Sequence, residues 1–295
     1  MREVKKAVIL AAGFGTRFLP VTKAVPKEML PIVDTPSIDF SVAECVDSGI
    51  TDICIVIARG KECIANYFDR NVELEANLKA KGPSDASAVH ALNLITKYQG
   101  KANIYYIRQP EMQGTARALT LCKSFLGDDP FVLLFGDDVI YNPEKAVSAQ
   151  LIDAYKKTNK SIIGVQNMPL EEAIKYGAVI KGAEKGAYCE MRGIMEKPKK
   201  EECPSTLVSL GRFLFTSDIW HFIDQLKPVK GEYRVPDAID LMARSNAVGC
   251  FAYTFEGKRH DMGDKVGCII ANIEYGLRDK DLAPRLSAYL RGLKV

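Results

Sequence analysis

The stretch AVILAAGFGTR, residues 7–17, sets the first constraint on the fold. Its opening is continuously apolar, as in a strand covered on both faces of a parallel sheet. Gly13 and Gly15 then break the run, and Thr16 and Arg17 stand in the gap. A glycine loop closing a first strand has several readings. A dinucleotide fold needs G-x-G-x-x-G, but Phe18 holds the third glycine's place. The Walker A spacing is absent. A third kind of loop wraps a nucleoside triphosphate, its glycines letting backbone N–H groups approach base and phosphate. A tight strand-to-helix turn without a ligand is the plain alternative, and the glycines alone do not separate the last two.

Composition narrows the class. The chain has 295 residues, 47% hydrophobic, 26% charged and with a net charge of +3. That is enough for a large core and too weakly basic to suggest nucleic-acid binding. No stretch approaches the roughly 20 apolar residues of a membrane helix. Arg2, Lys5 and Lys6 precede the first apolar run, but Gly13 and Gly15 interrupt it and no cleavage site follows, so it reads as a strand rather than a signal peptide. The eight cysteines form no C-x-x-C pair and several lie in apolar periodic segments, which suits reduced thiols and a cytoplasmic location. His90, His221 and His260 are scattered, which argues against a histidine metal cluster.

Apolar β-rich runs recur at 51–58, 102–108, 130–136 and 160–166, with helical patterns at 37–49, 61–69, 114–127 and 143–158 between them. This alternation predicts an α/β fold with a largely parallel sheet flanked by helices. Residues 71–101 read as a polar helical excursion. After about 166 the pattern changes to a hairpin over 177–182 and 187–198, strands at 207–216 and 249–255, and helices at about 217–226, 235–245, 264–278 and 281–293. We expect one domain, 1–295: a nucleotide-binding half to about 166, a small β insertion for a sugar over about 167–262, and C-terminal helices over about 263–295.

The segment PVTKAVPKEMLPI (20–32) sharpens the reading. Pro20, Pro26 and Pro31 forbid one continuous helix. A stiff loop carrying Lys23 and Lys27, close to Arg17, suits a polyphosphate leaving group; a solvated basic loop is the bland alternative. With G-x-G-T-R-x-L-P ahead of P-K-E-M-L-P, the chain resembles the sugar-nucleotide pyrophosphorylases. VELEANL (72–78), Arg108–Gln109, GDD (136–138), YGAV (176–179), EKP (196–198), Gly211–Arg212, PDAID (236–240) and HDMGDKVG (260–267) extend that resemblance over nearly the whole chain. The KEMLP spelling most resembles that of members that act on UTP and glucose 1-phosphate.

The resemblance implies a Rossmann-like, glycosyltransferase-A-like nucleotidyltransferase fold and a set of site residues. Ala11, Ala12, Gly13, Gly15, Thr16, Glu28, Gln109, Gly114 and Asp138 would contact the nucleotide, with Gln109 on the uracil edge. Gly136-Asp137-Asp138 ends an apolar run, where a magnesium site or an Asp-rich turn would each be at home. Neighbouring side chains on extended backbone point opposite ways, so one aspartate faces a metal easily; the resemblance favours Asp137, with Asp261 completing a Mg²⁺ site. Asp264 suits the cap of the helix that follows. Tyr176, Gly177, Glu196, Lys197 and Gly211 would form the sugar pocket, and Arg17, Lys27 and Lys197 would be catalytic.

Two departures stand out. Gly114-Thr115-Ala116-Arg117-Ala118 replaces the usual G-L-G-H-A, and GEYRVPDAID (231–240) replaces the more common residues before its aspartate. The expected reaction is UTP plus glucose 1-phosphate giving UDP-glucose and pyrophosphate. The rivals are the same chemistry with dTTP, CTP or another hexose 1-phosphate, a non-catalytic nucleotide-sugar-binding regulator, and a nicotinamide dehydrogenase, which the missing third glycine disfavours. The amphipathic LAPRLSAYLRGL (282–293) suits either a homo-oligomer interface, dimer or tetramer, or a packed terminal helix.

Overall fold

The computed structural model of the chain describes residues 1–293. The last two residues of the expected C-terminal helical span lie outside the described ones.

Eleven strands position the site: β1 (Lys6–Leu10), β2 (Asp52–Ile57), β3 (Asn103–Arg108), β4 (Phe131–Phe135), β5 (Asp138–Tyr141), β6 (Ser161–Asn167), β7 (Gly177–Lys185), β8 (Tyr188–Glu196), β9 (Leu207–Phe215), β10 (Cys250–Thr254) and β11 (Lys258–Asp261). Nine of them build one sheet in the order β3-β2-β1-β4-β9-β6-β10-β8-β7. The strands β3, β2, β1 and β4 are mutually parallel; β9 enters antiparallel beside β4, and β6 and β10 resume the first direction. Only β9 and β8 run against the rest, which accords with the expected mostly parallel mixed sheet. Because β9 sits at the centre, residues from both halves of the sequence share one set of ladders.

The unbroken apolar runs have a simple cause. Side chains alternate across a strand, so Val8 joins one core with Cys54, Val56, Leu133 and Phe213, while Ile9 joins the other with Ile53, Ile55, Val132 and Leu134. Both faces are buried, so both parities must be apolar. Helix Ser37–Asp47 follows Pro36 and gives way at Gly49, whose φ of 79° suits glycine. The polar excursion forms helices Val72–Ala80 and Ala86–Ile95, with Asn71 and Asp85 accepting the N–H groups of Leu74 and Ala88 at their starts. Helices Lys265–Arg278 and Ala283–Gly292 end the described chain, and Asp264 caps the first by accepting from Gly267 N–H. Among the described residues, no helix is long and apolar enough to cross a membrane.

Two features depart from the expectation. Residues 16–29 contain three short 3₁₀ turns, one ahead of Pro20 and two between the prolines. In addition, β5 and β11 form a separate antiparallel ribbon that pairs Asp138 with Asp261 in register. Asp261 therefore closes a strand of its own rather than lying in a loop after β10.

Candidate active site

The loops that follow the carboxyl ends of β1, β2, β3 and β4 lie at one end of the parallel strands, where open α/β sheets place ligands. The β1 loop is shaped by its own cations. Gly15 adopts φ 66°, and a Cβ there would stand 3.1 Å from both Lys27 Cβ and Thr22 Cγ2. The Thr22 hydroxyl donates to the Gly15 carbonyl at 2.8 Å. Gly13 is exposed, and a Cβ on it would be 3.8 Å from the Lys27 ammonium, so the loop backbone lies across that cation. Thr16 and Arg17 are exposed; the Arg17 guanidinium donates to the Gly263 carbonyl at 3.3 Å, tying the loop to the turn just after β11.

A buried ion pair supports the loop from beneath. Lys61 Nζ donates to the Ala11 carbonyl at 2.6 Å and to both Glu28 oxygens, at 2.9 and 2.7 Å. Glu28 is 1% exposed and Lys61 6%. Burial pushes the Glu28 carboxyl up and the Lys61 ammonium down, each opposed by its partner. Glu28, expected among the nucleotide contacts, is thus engaged with Lys61. Ala11 and Ala12 are buried at the root of the loop.

The carboxylates converge beyond it. Asp137 accepts from Lys27 Nζ. Burial would raise the Asp137 carboxyl, but the Lys27 ammonium outweighs it and holds the acid below its ordinary range, hence ionised. Asp261 Oδ1 accepts from Gly263 N–H at 2.9 Å. A Cβ at Gly263 would stand 2.8 Å from Asp137 Oδ2 and 3.0 Å from Asp261 Oδ1. The missing side chain there leaves the two acids facing a common space.

Asp138 turns the other way. Its carboxylate is buried, accepts from Arg259 Nε at 2.6 Å, and lies 2.4 Å from the place a Cβ on Gly211 would occupy. Burial pushes its pKa up to about 6 against the pull of Arg259. Asp138, expected among the nucleotide contacts, thus has its side chain turned to the interior. That orientation also explains Gly211, whose φ of 62° and lack of a side chain make room for that carboxylate; the expectation had assigned the glycine to the sugar pocket. The turn is anchored from below by Arg212. Fully buried, Arg212 donates to the Asp138 carbonyl at 2.7 Å and pairs with Glu44, which also accepts from Ser148 N–H and hydroxyl.

The sugar-side residues meet this cluster through Tyr176. Its hydroxyl lies 3.2 Å from Asp261 Oδ2 and accepts from Arg259 Nη1 at 2.8 Å. Gly177 heads β7 against Ser209 of β9, and a Cβ on it would stand 3.2 Å from Glu196 Oε2. Glu196 is half-buried, and burial raises its carboxyl. Lys197 follows in the left-handed region at φ 48°, with its N–H donating to the Tyr176 carbonyl at 3.0 Å. Its ammonium is exposed, 3.9 Å from Glu196.

The remaining two predicted residues sit on the other flank. Gln109 is buried, its amide donating to the Glu111 carbonyl at 2.8 Å, and it lines a groove of about 480 Å³ with Arg59, Gly60, Glu62, Arg108 and Pro110. Gly114, at φ 94°, is required by a backbone approach: a Cβ would be 2.4 Å from the Tyr233 carbonyl oxygen. Sequence reasoning missed Lys61, Arg259 and Glu44. A single cation or acid has no spacing signature, and each matters through a partner remote in sequence.

A family profile described as nucleotidyl transferase matches residues 6–267. The chain belongs to the nucleotidyl transferase family. Within that family it is 42% identical over 294 residues to a UTP–glucose-1-phosphate uridylyltransferase of Bacillus subtilis, covering 99% of this chain and 98% of the relative. A protein of the same name from Staphylococcus epidermidis is 40% identical, with both chains fully covered. Among solved structures, a UTP-bound UDP-glucose pyrophosphorylase from Acinetobacter baumannii superposes with a TM-score of 0.88 at 32% identity, covering 99% of this chain and 100% of that one.

The two sequence departures of this nucleotidyl transferase turn out to be one contact. Tyr233 N–H donates to the Gln113 carbonyl at 2.8 Å, Ala116 N–H to the Tyr233 carbonyl at 2.9 Å, and Val235 N–H to Thr115 Oγ1 at 2.9 Å. The 114–118 and 231–240 segments touch one another, whereas Arg117 is exposed.

Proposed function

We propose that the chain transfers the uridylyl group of UTP to glucose 1-phosphate, giving UDP-glucose and pyrophosphate. The observation that carries this reading is the convergence of Asp137 and Asp261 on Gly263, with the cationic glycine loop on one side and Tyr176, Glu196 and Lys197 on the other. The names of the relatives support the choice of substrates.

The sugar phosphate is ionised at neutral pH, so its oxygen can attack the α-phosphorus without a general base. The new P–O bond forms as the bond from the α-phosphorus to the bridging oxygen breaks, and pyrophosphate leaves with that electron pair. Catalysis is then alignment and charge neutralisation. Asp137 and Asp261 offer two hard oxygen donors of the kind a divalent cation such as Mg²⁺ takes alongside water and phosphate, and that ion would neutralise the phosphates when bound. Lys27 and Arg17 stabilise the departing pyrophosphate. Lys197, on a backbone pinned to Tyr176, holds the sugar phosphate with its free ammonium. Glu196 accepts from sugar hydroxyls, and Gln109 reads the base from its groove.

The whole chain acts as one unit, since the central strand β9 joins the two halves. A cytoplasmic location suits its eight free cysteines. Exposed Val266, Ile269 and Ile270 on helix Lys265–Arg278 support a homo-oligomer, which light scattering of the eluting protein would measure. The functional test incubates the protein with glucose 1-phosphate, Mg²⁺ and each nucleoside triphosphate separately, and measures pyrophosphate. UTP should give the highest kcat/KM. Faster release with dTTP or CTP would overturn the nucleotide assignment, and none with any would overturn the reaction.

A further inference from the structure

Arg259 is the cation on which the three parts of the site meet. Its side chain is 10% exposed. It pairs with the Asp138 carboxylate, stands 3.3 Å from Asp261 Oδ2, donates to the Tyr176 hydroxyl at 2.8 Å, and lies over the Tyr176 ring with Cζ 4.8 Å from its centre. Every polar group it touches belongs to the nominated site or its support. Lys27 is built differently: one carboxylate partner, a flexible stem and a position against the exposed glycine loop. Of the two cations among these three aspartates, Arg259 is the one paired with more than one carboxylate.

We propose that Arg259 is a positioning residue that serves as a fixed internal cation, neutralising Asp138 and one oxygen of Asp261 so that a divalent ion is directed to Asp137 and the remaining oxygen of Asp261. The proposal rests on the functional reading above. Asp138 and Asp261 are partners across the β5–β11 ribbon, so without Arg259 they would form a second acidic pair next to the intended one. A metal drawn into that pair would be held away from Asp137. Orientation of Tyr176 follows from the same guanidinium, which links the ion's site to the sugar's.

A merely structural arginine and a fixed cation differ in sign. Loss of a structural arginine weakens metal binding and catalysis together; loss of a cation paired with two carboxylates strengthens metal binding while catalysis falls. The test is Mn²⁺ binding to the nucleotide-free protein, followed by the spin resonance of free Mn²⁺, beside steady-state kinetics. For Arg259→Met we expect Mn²⁺ to bind about 10-fold more tightly and kcat to drop about 100-fold. Unchanged or weaker Mn²⁺ binding in the folded variant overturns the proposal. If Arg259→Met does not fold by circular dichroism, Arg259→Lys decides. It keeps the charge and loses the fork, so Mn²⁺ affinity should stay within about 3-fold of wild type. In the same variant kcat should fall about 10-fold and KM for glucose 1-phosphate should rise. Wild-type kcat in Arg259→Lys overturns the proposal. Should the wild-type protein release no pyrophosphate with any triphosphate, the functional reading fails, while the Mn²⁺ comparison still judges Arg259.

Discussion

The two flanks of the site are held in different ways. On the nucleotide side the charged groups are already engaged with one another: Lys27 with Asp137, Lys61 with Glu28 and the Ala11 carbonyl, Arg259 with Asp138. On the sugar side Lys197 is fixed only through its backbone, and its ammonium is exposed with Glu196 at 3.9 Å. The first arrangement is rigid before any ligand arrives; the second leaves a cation free to close on one. A loop that must present several N–H groups to a polyphosphate benefits from preorganisation, whereas a single point charge on a long stem can follow its phosphate.

The largest effect should come from the free cation. Lys197→Ala should lower kcat about 1,000-fold and leave the urea midpoint unchanged, because the side chain supports nothing in the fold. Near-normal turnover would remove the contrast between the flanks. On the rigid side, stability should suffer instead. Lys61→Met strands the Glu28 carboxylate and should cost about 3–5 kcal/mol of unfolding free energy, read from urea titrations. A cost below about 1 kcal/mol would mean the pair is solvated and the loop is not held by it.

A smaller effect tests the space between the acids. Gly263→Ala should raise the Mg²⁺ concentration for half-maximal rate about 10-fold, since its Cβ would crowd Asp137 and Asp261. The smallest effect should be at a sequence departure: Arg117→His should alter kcat/KM for UTP by less than about 3-fold, as expected of an exposed surface substitution. A larger change would place that helix face in nucleotide recognition.

The same division explains what could be read before the structure. The parallel strands were legible because burial on both faces writes an unbroken apolar run, as at Ala7–Leu10 and Phe131–Phe135. The cationic loop was legible because three prolines and two glycines leave little else for residues 13–31 to be. The ribbon of β5 and β11 was not: Lys-Arg-His-Asp carries no apolar alternation, and its pairing with 138–141 is set by long-range register. Since that ribbon brings Asp138 opposite Asp261, the inward turn of Asp138 and the need for Gly211 were hidden with it. Gly114 stands out in the sequence as a glycine, and what requires it in the structure is the close passage of the Tyr233 backbone. Lys61 and Arg212 declare themselves only through buried partners 33 and 168 residues away.

The most direct test is a crystal structure of the protein with UDP-glucose and Mn²⁺, using the metal's anomalous signal. The account places the ion between Asp137 and Asp261, and the diphosphate between the Gly13 loop and Lys197 with the glucose against Glu196. A sugar diphosphate lying clear of both Gly13 and Lys197, or a Mn²⁺ peak remote from Gly263, would contradict it.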